Sequence, residues 1–249
     1  MKMFLLLLVP FIAMAQDKKW SNESELSIVQ AGGNTSLETY NLKTESSLKK
    51  TKRVYSLGGH YTLGNGEVVD QTDSTKKVKE ETARNWDAHA RYEQILSETF
   101  DGFFGVMYEG NEFSGFKQRE NYDLGGKYKL HTGDDFNSFF ELGFRYTTER
   151  ALVRDVNNED TFNDYKGRLY YELNHAVHSG LSYKFWTEYV KNFTRSEDYL
   201  INFEPSMAFT INSSFSLKLA YKGMYDNQPA TVGNKYLDWA YTTSLLAKF

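Results

Sequence analysis

Leu237-Asp-Trp-Ala-Tyr-Thr-Thr-Ser-Leu-Leu-Ala-Lys-Phe249 closes the chain, and its reading decides the fold. Every second residue from Leu237 gives Leu237, Trp239, Tyr241, Thr243, Leu245, Ala247 and Phe249. The intervening set is Asp238, Ala240, Thr242, Ser244, Leu246 and Lys248. Period-two alternation over this length describes a β-strand with one apolar side and one mostly polar side. The last residue is aromatic and belongs to the apolar side.

The same rhythm recurs upstream. Working back to Trp20, the alternation predicts strands over 20–31, 37–48, 54–63, 85–95, 102–108, 119–130, 136–146, 166–173, 181–191, 199–211 and 215–221. With the terminal strand these make about twelve. No amphipathic helix and no Pro/Ser linker interrupts them. The connections at 49–52, 97–101, 131–135, 174–180 and 212–214 are short, whereas 64–81, 147–164 and 224–235 are long and polar. The long ones follow odd-numbered strands and the short ones even-numbered strands, and only the glycine turn Gly32-Gly33-Asn34 after the first strand breaks the rule. A soluble sandwich has no reason to sort its loops by parity, but a membrane barrel does: it has short turns at one rim and longer loops at the other. Pro205 lies inside the tenth strand, where a missing ladder donor predicts a bend or bulge.

Composition agrees. The 249 residues hold 18 Tyr, 18 Phe and 4 Trp but only 3 Pro, which suits long strands and interfacial aromatic girdles. A mean hydropathy of -0.60 excludes a bundle of membrane helices and leaves barrels open, since their strands hide apolar residues in alternation. A net charge of -4 without a basic block argues against nucleic acid as a partner. The absence of cysteine excludes disulfides, thiolate metal sites and thiol catalysis. Met1–Ala15 carries Lys2, an apolar run over 3–12 and the small-x-small Ala13-Met14-Ala15, so it reads as a secretory signal, too short for a membrane helix. The expectation is therefore an all-β chain: a signal over 1–15, then one closed antiparallel transmembrane β-barrel over 16–249, of bacterial outer-membrane type. Trp20, Trp86, Tyr108, Tyr199 and Trp239 are placed to meet the head-group layers.

Trp20 with Glu23 and Glu25 leading to Gly33-Asn34 resembles the opening of the YdiY-like, salt-induced outer-membrane family (DUF481-type). So do Arg119 with the strand Tyr122-Asp-Leu-Gly-Gly-Lys-Tyr128, Glu141-Leu-Gly-Phe-Arg-Tyr146, and Pro229 before an Asp-bearing last strand. The resemblance implies an outer-membrane barrel with an envelope structural or stress-related role, and brings no catalytic residues. Similarity to outer-membrane barrels in general also makes Tyr241, Leu245 and Phe249 the candidate signal for the assembly machinery.

Chemistry is expected on the inward face. The alternation assigns it Glu23, Glu25, Asp87, His89, Arg91, Glu93, Glu109, Asp123, Lys127, Glu141, Arg145, Arg168, Glu172, Lys184, Glu188, Glu204, Lys218, Lys222 and Asp238. Mixed signs in similar number fit a lumen filled by salt bridges, or a narrow channel whose charged rings select a small anionic or sugar-acid solute. Paired opposite charges would favour the first, and basic residues aligned on facing strands the second. An outer-membrane hydrolase is the third reading, but none of His60, His89, His131, His175 and His178 stands with a Ser in a nucleophile setting. His175-x-x-His178 lacks an acidic partner for a metal, and Asp155–Asp160 lacks the central Gly of an EF-hand loop. No enzymatic activity, cofactor or metal is expected. The partners expected are outer-membrane lipid and lipopolysaccharide, the assembly machinery and a small solute.

Overall fold

Twelve antiparallel strands close on themselves in a computed structural model, which describes residues 20–31, 37–69, 77–154, 158–228 and 236–249. They are β1 (Trp20–Ala31), β2 (Leu37–Lys50), β3 (Arg53–Val69), β4 (Lys77–Ile95), β5 (Phe100–Asn111) and β6 (Phe116–Thr132). The second half comprises β7 (Phe136–Ala151), β8 (Thr161–His178), β9 (Leu181–Asn192), β10 (Tyr199–Thr210), β11 (Phe215–Asp226) and β12 (Leu237–Lys248). Each strand pairs with its sequence neighbours, and β12 returns to β1, with Glu23 opposite Lys248 and Ser27 opposite Ser244. Both described chain ends lie at one rim, beside the short turns at 51–52 and 179–180.

The burial pattern is that of a soluble protein turned inside out. Leu124 and Leu142 on the outer face are 64% and 66% exposed, while Glu141 and Thr147 inside are 3% and 0% exposed. Only hydrocarbon outside the wall makes that arrangement favourable. Aromatic rings gather at two heights on the outer face. Near the terminal rim are Tyr55–Tyr92, Tyr128–Phe140 and Tyr171–Phe185, at centroid distances of 5.4, 5.5 and 6.5 Å. Toward the opposite rim are Trp86–Tyr108, Tyr146–Tyr165 and Tyr199–Tyr225, at 5.1, 5.3 and 5.8 Å. These two bands are the girdles of an outer-membrane barrel.

Several boundaries depart from the sequence reading. The polar stretch 64–81 is largely strand, with Glu67 opposite Lys79 and Val68 opposite Val78, and a register shift at Gly64/Asn65. Beyond the hydrocarbon a strand needs ladder partners but no apolar face, and the ion pair Lys79–Glu38, at 2.8 Å, ties β4 to β2 across β3 there. For the same reason β7 and β8 reach into 147–164, and only 179–180 of the expected 174–180 turn remains a turn. His131, His175 and His178 consequently lie in strands rather than turns. Pro205 makes no bulge. Phe203 opposite Gly223 and Ser206 opposite Ala220 share one register, and the ladder to β11 skips only Glu204 and Pro205 between them. The signal over 1–15, the turn at Gly32–Asn34 and most of the 224–235 loop lie outside the described residues.

One close approach fixes the inner wall. A Cβ on Gly125 would come within 2.4 Å of the Leu142 carbonyl oxygen and 2.7 Å of Phe103 Cζ. Gly125 and its neighbour Gly143 thus form a flat floor under the Phe103 ring, which is 3% exposed. Gly125→Val is expected to lower stability by about 1–3 kcal/mol through overpacking. Urea unfolding of the refolded barrel in detergent, followed by tryptophan fluorescence, measures it; an unchanged midpoint would show that the floor tolerates a side chain.

Candidate functional site

The strands from β4 to β10 send long charged side chains into the lumen, where they meet. Glu141 on β7 is the hub. It accepts from Arg91 of β4 at 2.6 and 3.1 Å and from Arg168 of β8 at 2.6 Å. Arg168 continues to Glu188 of β9 at 2.5 Å. Glu188 also accepts from Arg145 at 3.4 Å and from Asn202 of β10 at 3.2 Å. Arg145 grips Asp123 of β6 through two donors, at 2.7 and 2.9 Å. At the other end of the chain of contacts, Arg91 donates to Glu93 at 2.7 Å, and Lys127 lies 3.3 Å from the same carboxylate. Aromatic rings back the cations: Phe103 beneath Arg91 at 3.9 Å, Phe139 beneath Lys127 at 4.2 Å and Tyr170 beneath Arg168 at 4.8 Å. Arg91 and Glu141 stand three strands apart, so their pairing bridges over β5 and β6, where the Phe103 ring underlies Arg91.

Smaller clusters line the rest. Lys218 bridges Glu25 and Glu204, both at 2.9 Å, and the Ser244 hydroxyl donates to Glu25 at 2.6 Å. His89 contacts Asp87 at 2.8 Å and Glu45 at 2.7 Å, while His60 pairs with Asp87 and meets Asn85 at 2.5 Å. Nearer the terminal rim Glu172 holds Lys184 at 3.1 Å and receives the Tyr170 hydroxyl at 2.5 Å, and Glu23 pairs with Lys248 at 3.0 Å. Below the hub, on the terminal side, the lumen keeps a cavity of about 540 Å³ whose lining includes Glu25, Lys43, Glu45, Lys127, Glu172 and Lys184.

All twelve leading candidates, Glu23, Glu25, Asp87, His89, Arg91, Glu93, Glu141, Arg145, Arg168, Glu172, Lys184 and Glu188, therefore stand on the lumen face and in ion pairs. They form several clusters rather than one ring. The sequence reading missed Lys43, Glu45, His60, Asp101 and Lys129. Lys43 and Glu45 were legible, because 39, 41, 43, 45 and 47 alternate with Tyr40 and Leu42; His60 was noticed as a strand residue without its partners. His178 uses Nδ1 to accept the Gly180 amide at 3.1 Å, and His175 packs edge-on to Phe136 at 5.7 Å, so the pair serves the turn and the wall. Among the described residues no group of three or more His, Asp or Glu is set to hold a metal ion.

The family described as "Protein of unknown function, DUF481" matches residues 24–249. The chain belongs to this family. No curated protein matches it in sequence. Among solved structures it is similar to the NanC porin, with 10% identity and a TM-score of 0.51, over 92% of this chain and 97% of that one. It is also similar to the COG4313 outer membrane channel from Pseudomonas putida F1, with 10% identity and a TM-score of 0.50, over 92% and 94% of the two chains. At that identity the likeness is one of fold: this is an outer-membrane β-barrel.

Glu141→Gln leaves Arg91 and Arg168 facing each other without their shared carboxylate. Removing one partner from such a buried set costs about 3–5 kcal/mol. The unfolding midpoint in urea is expected to fall accordingly, and a change within error would show that solvent in the cavity takes over the role of Glu141.

Proposed function

We propose that the protein is a structural outer-membrane barrel, closed to ions at rest, which serves the envelope in a salt-induced, stress-related role and has no enzymatic activity. The observation that carries this reading is the luminal network Arg91–Glu141–Arg168–Glu188–Arg145, reaching from β4 to β9, in which every member has a partner of opposite sign. A conducting pore needs charged groups that face water and release what they bind. Here the charged groups bind each other. Export by the signal over 1–15, contact with lipopolysaccharide and insertion by the assembly machinery complete the proposal. Tyr241 and Leu245 point outward on the closing strand and Phe249 is exposed just beyond its end, where that machinery can read them. The cavity below the hub favours a second reading: a narrow channel for small anionic solutes, whose constriction is the hub itself.

Planar-bilayer recording of the refolded protein separates the two. Silence at high and low salt is expected from the wild type, with discrete steps from Arg145→Ser/Glu188→Ser, which removes a cation and an anion together. Ohmic, anion-selective steps from the wild type would sink the closed-barrel reading and establish the channel. Transcript levels after a sodium chloride shift address the stress role, and an unchanged level refutes it.

Phe249→Ser is expected to reduce the folded barrel recovered from outer membranes severalfold, while the fraction that does fold keeps its unfolding midpoint. Equal recovery would remove Phe249 from the assembly signal.

A further inference from the structure

Between its two aromatic girdles the outer wall is apolar, single threonines such as Thr187 and Thr243 apart, except on β1 and β2. On β3, Tyr55 belongs to the girdle near the terminal rim and Tyr61, opposite Trp86, to the other; Leu57 and Gly59 lie between them. Ser46 and Thr44 of β2 stand directly opposite Leu57 and Gly59. On their other side they face Asn22 and Ser24 of β1. All four share the outward face with the exposed Leu26, Tyr40 and Leu57, while Glu25, Lys43 and Glu45 from the alternate positions line the lumen. On β7, where Phe140 and Tyr146 mark the same two girdles, the pair between them is Leu142 and Phe144. At the depth of those two side chains, β1 and β2 present an amide and three hydroxyls to hydrocarbon.

The four side chains are tied to one another. The Asn22 amide nitrogen donates to Ser46 Oγ at 2.8 Å and to Thr44 Oγ1 at 3.2 Å. The Ser24 hydroxyl donates to Asn22 Oδ1 at 3.1 Å, and Thr44 meets Ser24 at 3.0 Å. A hydroxyl has one hydrogen, and that of Ser24 goes to Asn22, so Thr44 is the donor in the last contact. Ser46 is left over. Its hydroxyl accepts from Asn22, but its own hydrogen finds no acceptor among the described residues. Lipid tails have no acceptor to offer, and a polar group that stays unanswered in hydrocarbon is costly. The wall beside this patch is also bare. Elsewhere on the outer face Gly126, Gly167 and Gly223 each lie under a ring, that of Phe100, Phe193 or Phe203. A Cβ on Gly59, next to Thr44, would instead meet backbone atoms of Asp87 and Ala88 first.

We propose that two copies of this barrel associate side by side in the membrane through the outer faces of β1 and β2. Two copies inserted the same way are related by a two-fold axis along the membrane normal, which sets each patch against its own equivalent at the same depth. Hydroxyls and a carboxamide both donate and accept, so the patch is complementary to itself. The Ser46 hydroxyl then has a hydroxyl oxygen of the second copy to donate to. Inside a bilayer, burial of apolar surface does not drive association; close backbone approach and polar contacts do, and both are offered here. The pairing goes beyond the closed-barrel reading and is indifferent to whether the lumen conducts.

The chain has no cysteine of its own, so a single introduced thiol reports contact between copies. The test is cross-linking by a short bis-maleimide of the full refolded chain carrying Ser46→Cys or Leu142→Cys, in phosphatidylcholine vesicles of increasing lipid-to-protein ratio. Leu142 is exposed on β7, half-way round the barrel from β1. Covalent dimers are expected at Ser46→Cys and should persist on dilution with lipid, whereas the yield at Leu142→Cys should fall with it, as chance collision requires. Equal yields that fall together overturn the proposal. A second measurement changes the patch itself. Asn22→Leu/Thr44→Val/Ser46→Ala, with folding verified by its heat-dependent gel mobility, should sediment in mild detergent as a monomer under conditions where the wild type sediments as a dimer. A monomeric wild type, or a variant that dimerises as well as the wild type, refutes the pairing through this face. Cross-linking of Ser46→Cys in intact outer membranes to a different protein alone, with no homodimer, would give the face to another partner and equally overturn it.

Discussion

Hydrocarbon offers a peptide group no hydrogen-bond partner, and the rest of this structure depends on that constraint. It forces the sheet to close, which sets β12 against β1 and makes the two ends of the chain neighbours. It also decides what each face can carry: a Leu such as Leu142 belongs outside and a Glu such as Glu141 inside, one residue apart along one strand. The girdles follow from the same boundary. Tyr and Trp have an apolar body and a polar tip, and they collect where hydrocarbon gives way to head groups.

Closure at twelve strands creates a second problem, that of the interior. Eight strands leave a space that side chains just fill, so a twelve-stranded wall encloses more than aliphatic residues can span. Arginine, lysine and glutamate have the reach, but each brings a charge that must find its opposite. The hub solves this with two carboxylates, Glu141 and Glu188, each shared between arginines, while Phe103 and Tyr170 underlie Arg91 and Arg168. Such a set is weak evidence of net stabilisation, because desolvation offsets much of the attraction. Its effect is positional: it ties β4 to β7 over the two strands between them, which no ladder does.

How much of this the sequence revealed follows from which physical signal each feature leaves. Face assignment leaves a strong one, since one residue of slip inverts every side chain; Glu141 and Phe140 could not be exchanged without burying an aromatic in the lumen and a carboxylate in lipid. Strand ends leave a weak one. Beyond the membrane the apolar face is no longer needed, so 64–69 and 77–81 look like loop in composition although they pair as strand. Partners across intervening strands leave none. Arg91 and Glu141 are fifty residues apart, and their meeting depends on curvature and shear that alternation does not encode. The Pro205 reading failed differently. A missing donor implies a bulge only when the strand must make up the lost bond, and here the ladder to β11 simply leaves two pairs out.

The same accounting sets the seam apart from every other junction. The other ladders join strands consecutive in sequence, so their register is fixed almost locally. β1 and β12 must find each other from opposite ends of the chain, and loop closure gives them no help. Side-chain chemistry has to hold what connectivity does not. Where the two strands do pair, it is present: Glu23 with Lys248 across the seam, and Glu25 with Ser244 and Lys218. These polar contacts lie along the β1–β12 ladder, which runs from Glu23–Lys248 to Ser27–Ser244.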